Sequence, residues 1–261
     1  MTRFTKTALA TAFIAFATQS YAANTATPAV SPQQRAQIES VVHQYLVQHP
    51  EVIVEAVQNL QRKQFEDAQK TVKQTQLHAT KYTDALFHQT DDPVGGNPNG
   101  KITIVEFFDY QCPHCVDMAP VMEAILKTNP DVRIVYKEFP IRGPASETAA
   151  RAALAANKQG KYVDFSHALL TVNQPLTPDL IFQLAQKNGL NVDQLKKDMN
   201  DPTITNQIKT NFKLAQDLKL FGTPAFFIAK SDAVQNKGGV SYLPGALNQQ
   251  QLQDAIDKIG K

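Results

Sequence analysis

A chain of 261 residues with 43% hydrophobic and 19% charged side chains has enough apolar material for a folded core, which excludes a disordered chain or a coiled-coil rod. Lys and Arg total 26 against 24 Asp and Glu, and once Arg3 and Lys6 are set aside as part of a leader, 24 face 24. The charge therefore makes no case for nucleic acid as a partner.

Residues 1–22 carry Arg3 and Lys6, an apolar run from Ala8 to Ala17, and then Ser20-Tyr21-Ala22, with small residues three and one before a cut. This is the pattern of a cleaved signal peptide. The run is about half the roughly 20 residues that a membrane-spanning helix needs. Export puts the two cysteines in an oxidising compartment, where thiols persist only if something reduces or uses them.

No glycine precedes Gly95, so residues 31 to about 80 read as helical. Ser31-Pro32 supplies a cap and a first-turn proline, and Ile38, Val41, Val42, Tyr45 and Leu46 recur on one helical face. Pro50 interrupts or restarts the helix, and Ile53, Val57 and Leu60 continue the stripe. From Arg62 to His78 polar residues dominate, which predicts a solvated stalk or one strand of an intermolecular pair. The stripe needs a partner, and a homodimer through residues 31–60 is the expectation. The turn-rich run Asp91–Gly100 marks a boundary.

Beyond it the pattern changes to alternating strand and helix. Ile102–Phe108 reads as a buried strand, Val116–Lys127 as a helix and Val132–Lys137 as a second strand. From Ser146 to about Leu218 only helical signals occur: an Ala-rich helix ending near Gly160, one from Pro178 to Gly189, and one from Pro202 carrying Ile204, Ile208, Phe212 and Ala215. Ala225–Ala229 and Val240–Leu243 read as strands, and Leu252, Ala255, Ile256 and Ile259 as the face of a terminal helix.

Cys112-Pro113-His114-Cys115 follows the first strand and opens the next helix. There, free backbone N–H groups and the helix dipole favour an anion, so the Cys112 thiol is expected to ionise readily and to be both the attacking and the better leaving sulfur. The close spacing gives a bridge almost no loop to close, so it adds little stability. A zinc site would need two more ligands, and no second CxxC or HxxxH is present; covalent haem would need His at position 116, which is Val. Neither a metal nor an organic cofactor is expected. Glu106, inside the apolar strand, is either satisfied by a polar partner or used for proton transfer. Pro224 enters a strand after Gly222-Thr223, a place where a cis bond is common.

The run V-E-F-F-D-Y-Q-C-P-H-C, the later T-P-A-F-F-I and the order of elements resemble the DsbA group of thioredoxin-fold thiol-disulfide oxidoreductases. The resemblance covers about Gly95 to Lys261. It implies an α/β thioredoxin fold with a helical insertion (about 146–218), in a domain over 91–261 that follows a signal peptide (1–22) and a helical dimerisation region and stalk (23–90). It implies Cys112 as an exposed nucleophile and Cys115 as the buried resolving cysteine, with Pro113 and His114 tuning the redox poise. Pro224 becomes a cis-proline facing the pair, Thr223 presents backbone to an extended substrate, and Glu106 matches the buried acid of the fold. Implied partners are unfolded or misbridged exported proteins and a membrane redox protein that resets the dithiol. Thr223 before the proline is more like the isomerases DsbC and DsbG, and the N-terminal region is similar to the dimerisation segments of isomerases and of Com1-like surface proteins. Net oxidase and net isomerase both stay open. The rival from another class is a dimeric holdase chaperone without redox turnover.

Overall fold

The computed structural model describes residues 30–232 and 239–260; the signal-peptide reading of residues 1–22 lies outside them. The chain divides into two compact units, residues up to Gln61 and residues from Arg62 onward.

In the first unit, α1 (Pro32–Gln48) starts at Ser31, whose Oγ accepts from the Gln34 N–H at 3.2 Å while the Gln34 side chain accepts from the Ser31 N–H at 3.0 Å. This reciprocal cap explains the sharp start. Pro50 separates α1 from α2 (Glu51–Ala79). Ile38, Val41, Val42 and Tyr45 are exposed, as are Ile53, Val57 and Leu60 at the start of α2. The apolar stripe seen in the sequence is therefore present and uncovered within the chain.

In the second unit the end of α2 departs from the stalk expectation. Thr75 and Ala79 are buried, Val72 packs on the same apolar cluster, and Thr75 Oγ1 donates to the Leu218 carbonyl at 3.0 Å. Val72, Thr75 and Ala79, spaced for one helical face, dock the end of the helix on this unit. A short helix, α3 (Thr83–Phe87), follows and buries Leu86 and Phe87. The turn-rich segment is likewise tied down. It contributes a three-residue strand, β1 (Val94–Gly96), and Asp92 forms an ion pair with Lys137, both side chains being almost wholly buried.

The sheet then follows the expected alternation: β2 (Ile102–Phe108), α4 (Pro113–Thr128) and β3 (Val132–Glu138) form a parallel β-α-β unit. Between β3 and the next strand lie five helices, α5 (Pro144–Asn157), α6 (Tyr162–Thr171), α7 (Pro178–Lys187), α8 (Val192–Asp198) and α9 (Pro202–Asp217). The sequence reading anticipated three of them. It missed α6 and α8, which are short and carry no proline at their start. β4 (Ala225–Lys230), β5 (Ser241–Pro244) and α10 (Gln249–Gly260) complete the chain.

Strand order is β1-β3-β2-β4-β5, with β2 in the centre, parallel to β3 and antiparallel to β4. Apolar layers cover both faces, which is why β2 reads as a continuous apolar run instead of an alternating one. On one face Ile104, Ile134, Phe226 and Ile228 pack against Met118, Met122 and Ile125 of α4 and Leu252 and Ile256 of α10. On the other, Val105, Phe107, Val135 and Phe227 pack against Leu86, Phe87, Leu214 and Leu218. Truncating any of these large side chains to Ala is worth about 2–5 kcal/mol of stability. A third cluster joins the Ala-rich face of α5 to Phe108, Tyr110, Cys112 and Cys115, so the helical insertion is packed directly on the dithiol.

Candidate active site

The CPHC turn sits where β2 ends and α4 begins. Cys112 is the N-cap of α4, with φ −82° and ψ 115°, and Pro113 occupies the first helical position, where its missing N–H costs no hydrogen bond. The turn is closed by the Cys112 N–H donating to the Asp109 carbonyl at 3.1 Å, while the N–H groups of Cys115 and Val116 donate to the Cys112 carbonyl at 2.9 and 3.1 Å.

The Asp109 carboxylate was not singled out in the sequence, yet it organises this turn. Its Oδ1 accepts from the Gln111 N–H and from Ser146 Oγ, both at 2.7 Å, and its Oδ2 accepts from the Arg142 N–H at 2.9 Å. The loop between β3 and α5 is thereby fastened beside the dithiol. The signal available was a lone Asp in a polar turn flanking CPHC, which on its own reads as ordinary turn chemistry.

Both cysteines are free thiols. The Cys112 Sγ donates to the Thr223 carbonyl at 3.2 Å, and the Thr223-Pro224 bond is cis. The structure thus brings Cys112, Cys115, Thr223 and Pro224 together. It departs from the resemblance in one respect: Cys112 is not exposed but fully covered, at 0% relative accessibility. The physical reason is the segment before β4, whose Thr223 carbonyl lies against the sulfur. The Thr223 hydroxyl is also buried and has no hydrogen-bond partner among the described residues.

The two thiols sit in opposed electrostatic surroundings. Burial acts to raise Cys112, but the Thr223 side chain beside it, hydrogen bonding from Cys115 and the charge of Arg142 outweigh it and leave this thiol more acidic than an ordinary one. Cys115 is pushed far up, first by burial and then by the neighbouring charges of Glu106 and Cys112. Low-pKa and high-pKa sulfurs three residues apart are what directional thiol-disulfide exchange requires, because exchange expels the more acidic sulfur more readily.

Glu106 is 5% exposed, and burial raises it to about 8. Its strand neighbours are Tyr136 and Phe226, and it lines a cavity of about 570 Å³ bounded by Met122 and Leu126 of α4 and Val163, His167 and Leu170 of α6. No hydrogen bond from a described residue holds its carboxyl, so of the two sequence readings the satisfied polar partner is not found. His114 and Pro113 are on the exposed first turn of α4. Glu138 is a second buried carboxyl near the site. The sequence reading ended its strand at Lys137, one residue short of it.

The sequence family described as DSBA-like thioredoxin domain matches residues 103–257, and the copper resistance protein ScsC N-terminal domain matches residues 34–66. Among solved structures, a thioredoxin-like oxidoreductase from Silicibacter pomeroyi is 40% identical, with 67% of this chain and 95% of that one covered and a TM-score of 0.61. BcfH from Salmonella enterica Typhimurium is 35% identical over 88% of this chain and 97% of its own, with a TM-score of 0.62. ScsC from Proteus mirabilis in a transitional conformation is 26% identical over 88% and 96%, with a TM-score of 0.61. Of curated proteins, the Na(+)/H(+) antiporter NhaA 3 of Salinispora tropica is 29% identical over 139 residues, 52% of this chain and 21% of the antiporter. The chain thus spans about a fifth of the length of the curated relatives it matches. No helix among the described residues is long and apolar enough to cross a membrane.

Proposed function

The chain belongs to the DSBA-like thioredoxin-domain family of thiol-disulfide oxidoreductases, and from that premise we propose that it is exported to the periplasm and forms or rearranges disulfides in secreted proteins through Cys112 and a mixed-disulfide intermediate. The observation that carries this reading is the split between the two thiols, one lowered at a helix N-terminus and one raised in the core.

In the oxidising direction, a client thiolate attacks Cys112 Sγ of the Cys112–Cys115 disulfide. The S–S bond breaks, Cys115 leaves as a thiolate and takes a proton from Glu106, and the client is held through Cys112. A second client thiolate then attacks the client's own sulfur; Cys112 leaves as the stabilised thiolate, and the client's disulfide is complete. The two electrons remain on the dithiol until a membrane redox partner removes them. In the rearranging direction, the Cys112 thiolate attacks a client disulfide, and either a client thiol or Cys115 releases it. The bond from the Cys112 thiol to the Thr223 carbonyl exists only in the reduced, protonated state; once the sulfur is ionised or bridged, the Thr223 backbone is free to lie against the extended client. Pro113 and His114 tune the poise from the first turn of α4.

Self-association through residues 31–60 belongs to the same proposal, supported by the exposed stripe of α1 and early α2 and by the match of residues 34–66 to the ScsC N-terminal domain. At about 25 cal/mol per Å² of apolar surface, a modest helical interface offsets association costs of several kcal/mol. Two or more dithiols in one assembly suit rearrangement of wrongly paired clients.

The test is the redox state of the full chain in cells, read by thiol trapping. Mainly oxidised Cys112 and Cys115 identify net oxidase activity, and mainly reduced thiols identify net isomerase activity. Full activity in a variant lacking both cysteines would instead establish the holdase reading. Sedimentation of the mature chain, compared with a chain begun at Arg62, counts the copies; a monomeric mature chain at tens of micromolar would remove the isomerase side.

A further inference from the structure

Glu138 closes β3 opposite Phe108 of β2 and is 1% exposed. Its Oε1 accepts two phenolic hydrogen bonds, from Tyr110 at 2.8 Å and from Tyr162 at 2.7 Å. Its backbone carbonyl accepts from Asn211 Nδ2 at 3.1 Å. Its Oε2 is buried with no hydrogen-bond partner among the described residues. One carboxyl therefore ties together the end of the sheet, α6 through Tyr162, α9 through Asn211 and, through Tyr110, the turn that leads into Cys112.

A half-satisfied buried carboxyl is a poor way to gain stability, since apolar packing of the same volume does as well or better. What it supplies is geometry, because short bonds from two phenols to one oxygen fix both rings. Tyr110 stands two residues before Cys112, and the bond from the Cys112 N–H to the Asp109 carbonyl spans the intervening turn at 3.1 Å. Asp109 pins that turn to the Arg142 and Ser146 loop, and Tyr110, in edge contact with Phe108 at 5.1 Å, pins it to the sheet. The ionisable groups that act on Glu138 are Tyr110 from the turn, Tyr162 from α6, Glu106 from β2 and Asp109.

We propose that Glu138 is a positioning residue for the dithiol: by accepting from Tyr110 and Tyr162 it locks the 109–111 turn and holds Cys112 at the N-cap of α4. The inference rests on the reading of Cys112 as the reactive sulfur. Without Glu138, the Tyr110 hydroxyl is left buried and unpaired, the turn relaxes, and Cys112 shifts from the free N–H groups at the start of α4 that favour its thiolate.

The experiment titrates the thiolate ultraviolet absorbance of the reduced full chain, and the rate of Cys112 alkylation by iodoacetamide, in the wild type, Glu138→Gln and Glu138→Leu, with thermal unfolding measured in parallel. The wild-type midpoint falls below the ordinary thiol value of about 8.5. Glu138→Gln keeps an acceptor oxygen for the phenols and stays close to wild type. Glu138→Leu raises the midpoint by about one pH unit, so alkylation below the midpoint slows roughly tenfold. Tyr110→Phe, which deletes one hydroxyl, moves it the same way and stands in if the Leu variant does not fold. A lower melting temperature with an unmoved midpoint overturns the inference in favour of a purely structural carboxyl. A midpoint lowered equally by Gln and Leu overturns it in favour of direct charge repulsion. An ordinary midpoint in the wild type overturns the reading of Cys112 itself, a result distinct from either.

Discussion

Cys112 and Cys115 differ by three positions in sequence and by everything that decides the state of a thiol. Cys112 caps α4 and meets the Thr223 carbonyl, the Cys115 N–H and the field of Arg142. Cys115 is one turn inside, packed on the α5 cluster, with Glu106 as its nearby carboxyl. The difference teaches that redox direction in this fold is set less by the CxxC spacing than by which end of the tetrapeptide meets polar contacts and which meets the core.

The sharpest way to break the comparison is to remove each sulfur in turn. Cys115→Ser should accumulate mixed disulfides with clients, whereas Cys112→Ser should accumulate none, as read on non-reducing gels; equal trapping would abolish the distinction. Next in size is Glu106→Gln, which deletes the carboxyl proposed to transfer a proton to and from Cys115. Single-turnover kinetics should show the step in which Cys115 enters or leaves a disulfide slowed by about a hundredfold, with attack at Cys112 little changed.

The pH dependence of stability sharpens the comparison from the core side. Glu106 and Glu138 are each raised by burial from 4.5 to about 8, so between those values the folded state binds more protons than the unfolded one. Stability contributed by the neutral carboxyls is thus present below about pH 4.5 and is lost as pH rises toward 8. Thermal unfolding of the reduced chain should occur at lower temperature at pH 8 than at pH 5, and Glu106→Gln should flatten the slope. The smallest effect expected is that of Arg142→Gln, a few tenths of a pH unit upward in the Cys112 midpoint, because a solvated cation is screened. Raising the salt concentration should reproduce that change in the wild type and have no further effect in the variant.

Much of this was legible before any coordinates. CPHC after an apolar strand, Thr-Pro before another and a helix-only stretch between them locate the sheet, the dithiol and the insertion, because strand burial and helix caps leave local signatures. Asp109, Tyr110, Glu138 and Tyr162 were not legible, since their hydrogen bonds join residues up to 37 positions apart through tertiary contacts that no periodicity reports. The stripe of α1 and that of α10 make the same point. Both were read as amphipathic, yet Leu252 and Ile256 of α10 are buried against the sheet while Ile38 and Val41 of α1 are 55% and 67% exposed. A stripe shows that a helix needs a partner and does not say whether the same chain provides it.

The order of the strands has a consequence for the proposed work on unfolded chains. The sheet ends on β1 at one side and β5 at the other, and an open edge is a template on which a foreign strand can add. β1 is three residues long and closes on Gly96 in a left-handed conformation, while β5 is four residues long and ends on Pro244, followed by left-handed Gly245. Neither edge offers a long row of free N–H and C=O groups, so an extended foreign chain of the kind proposed as client would find little to zip onto.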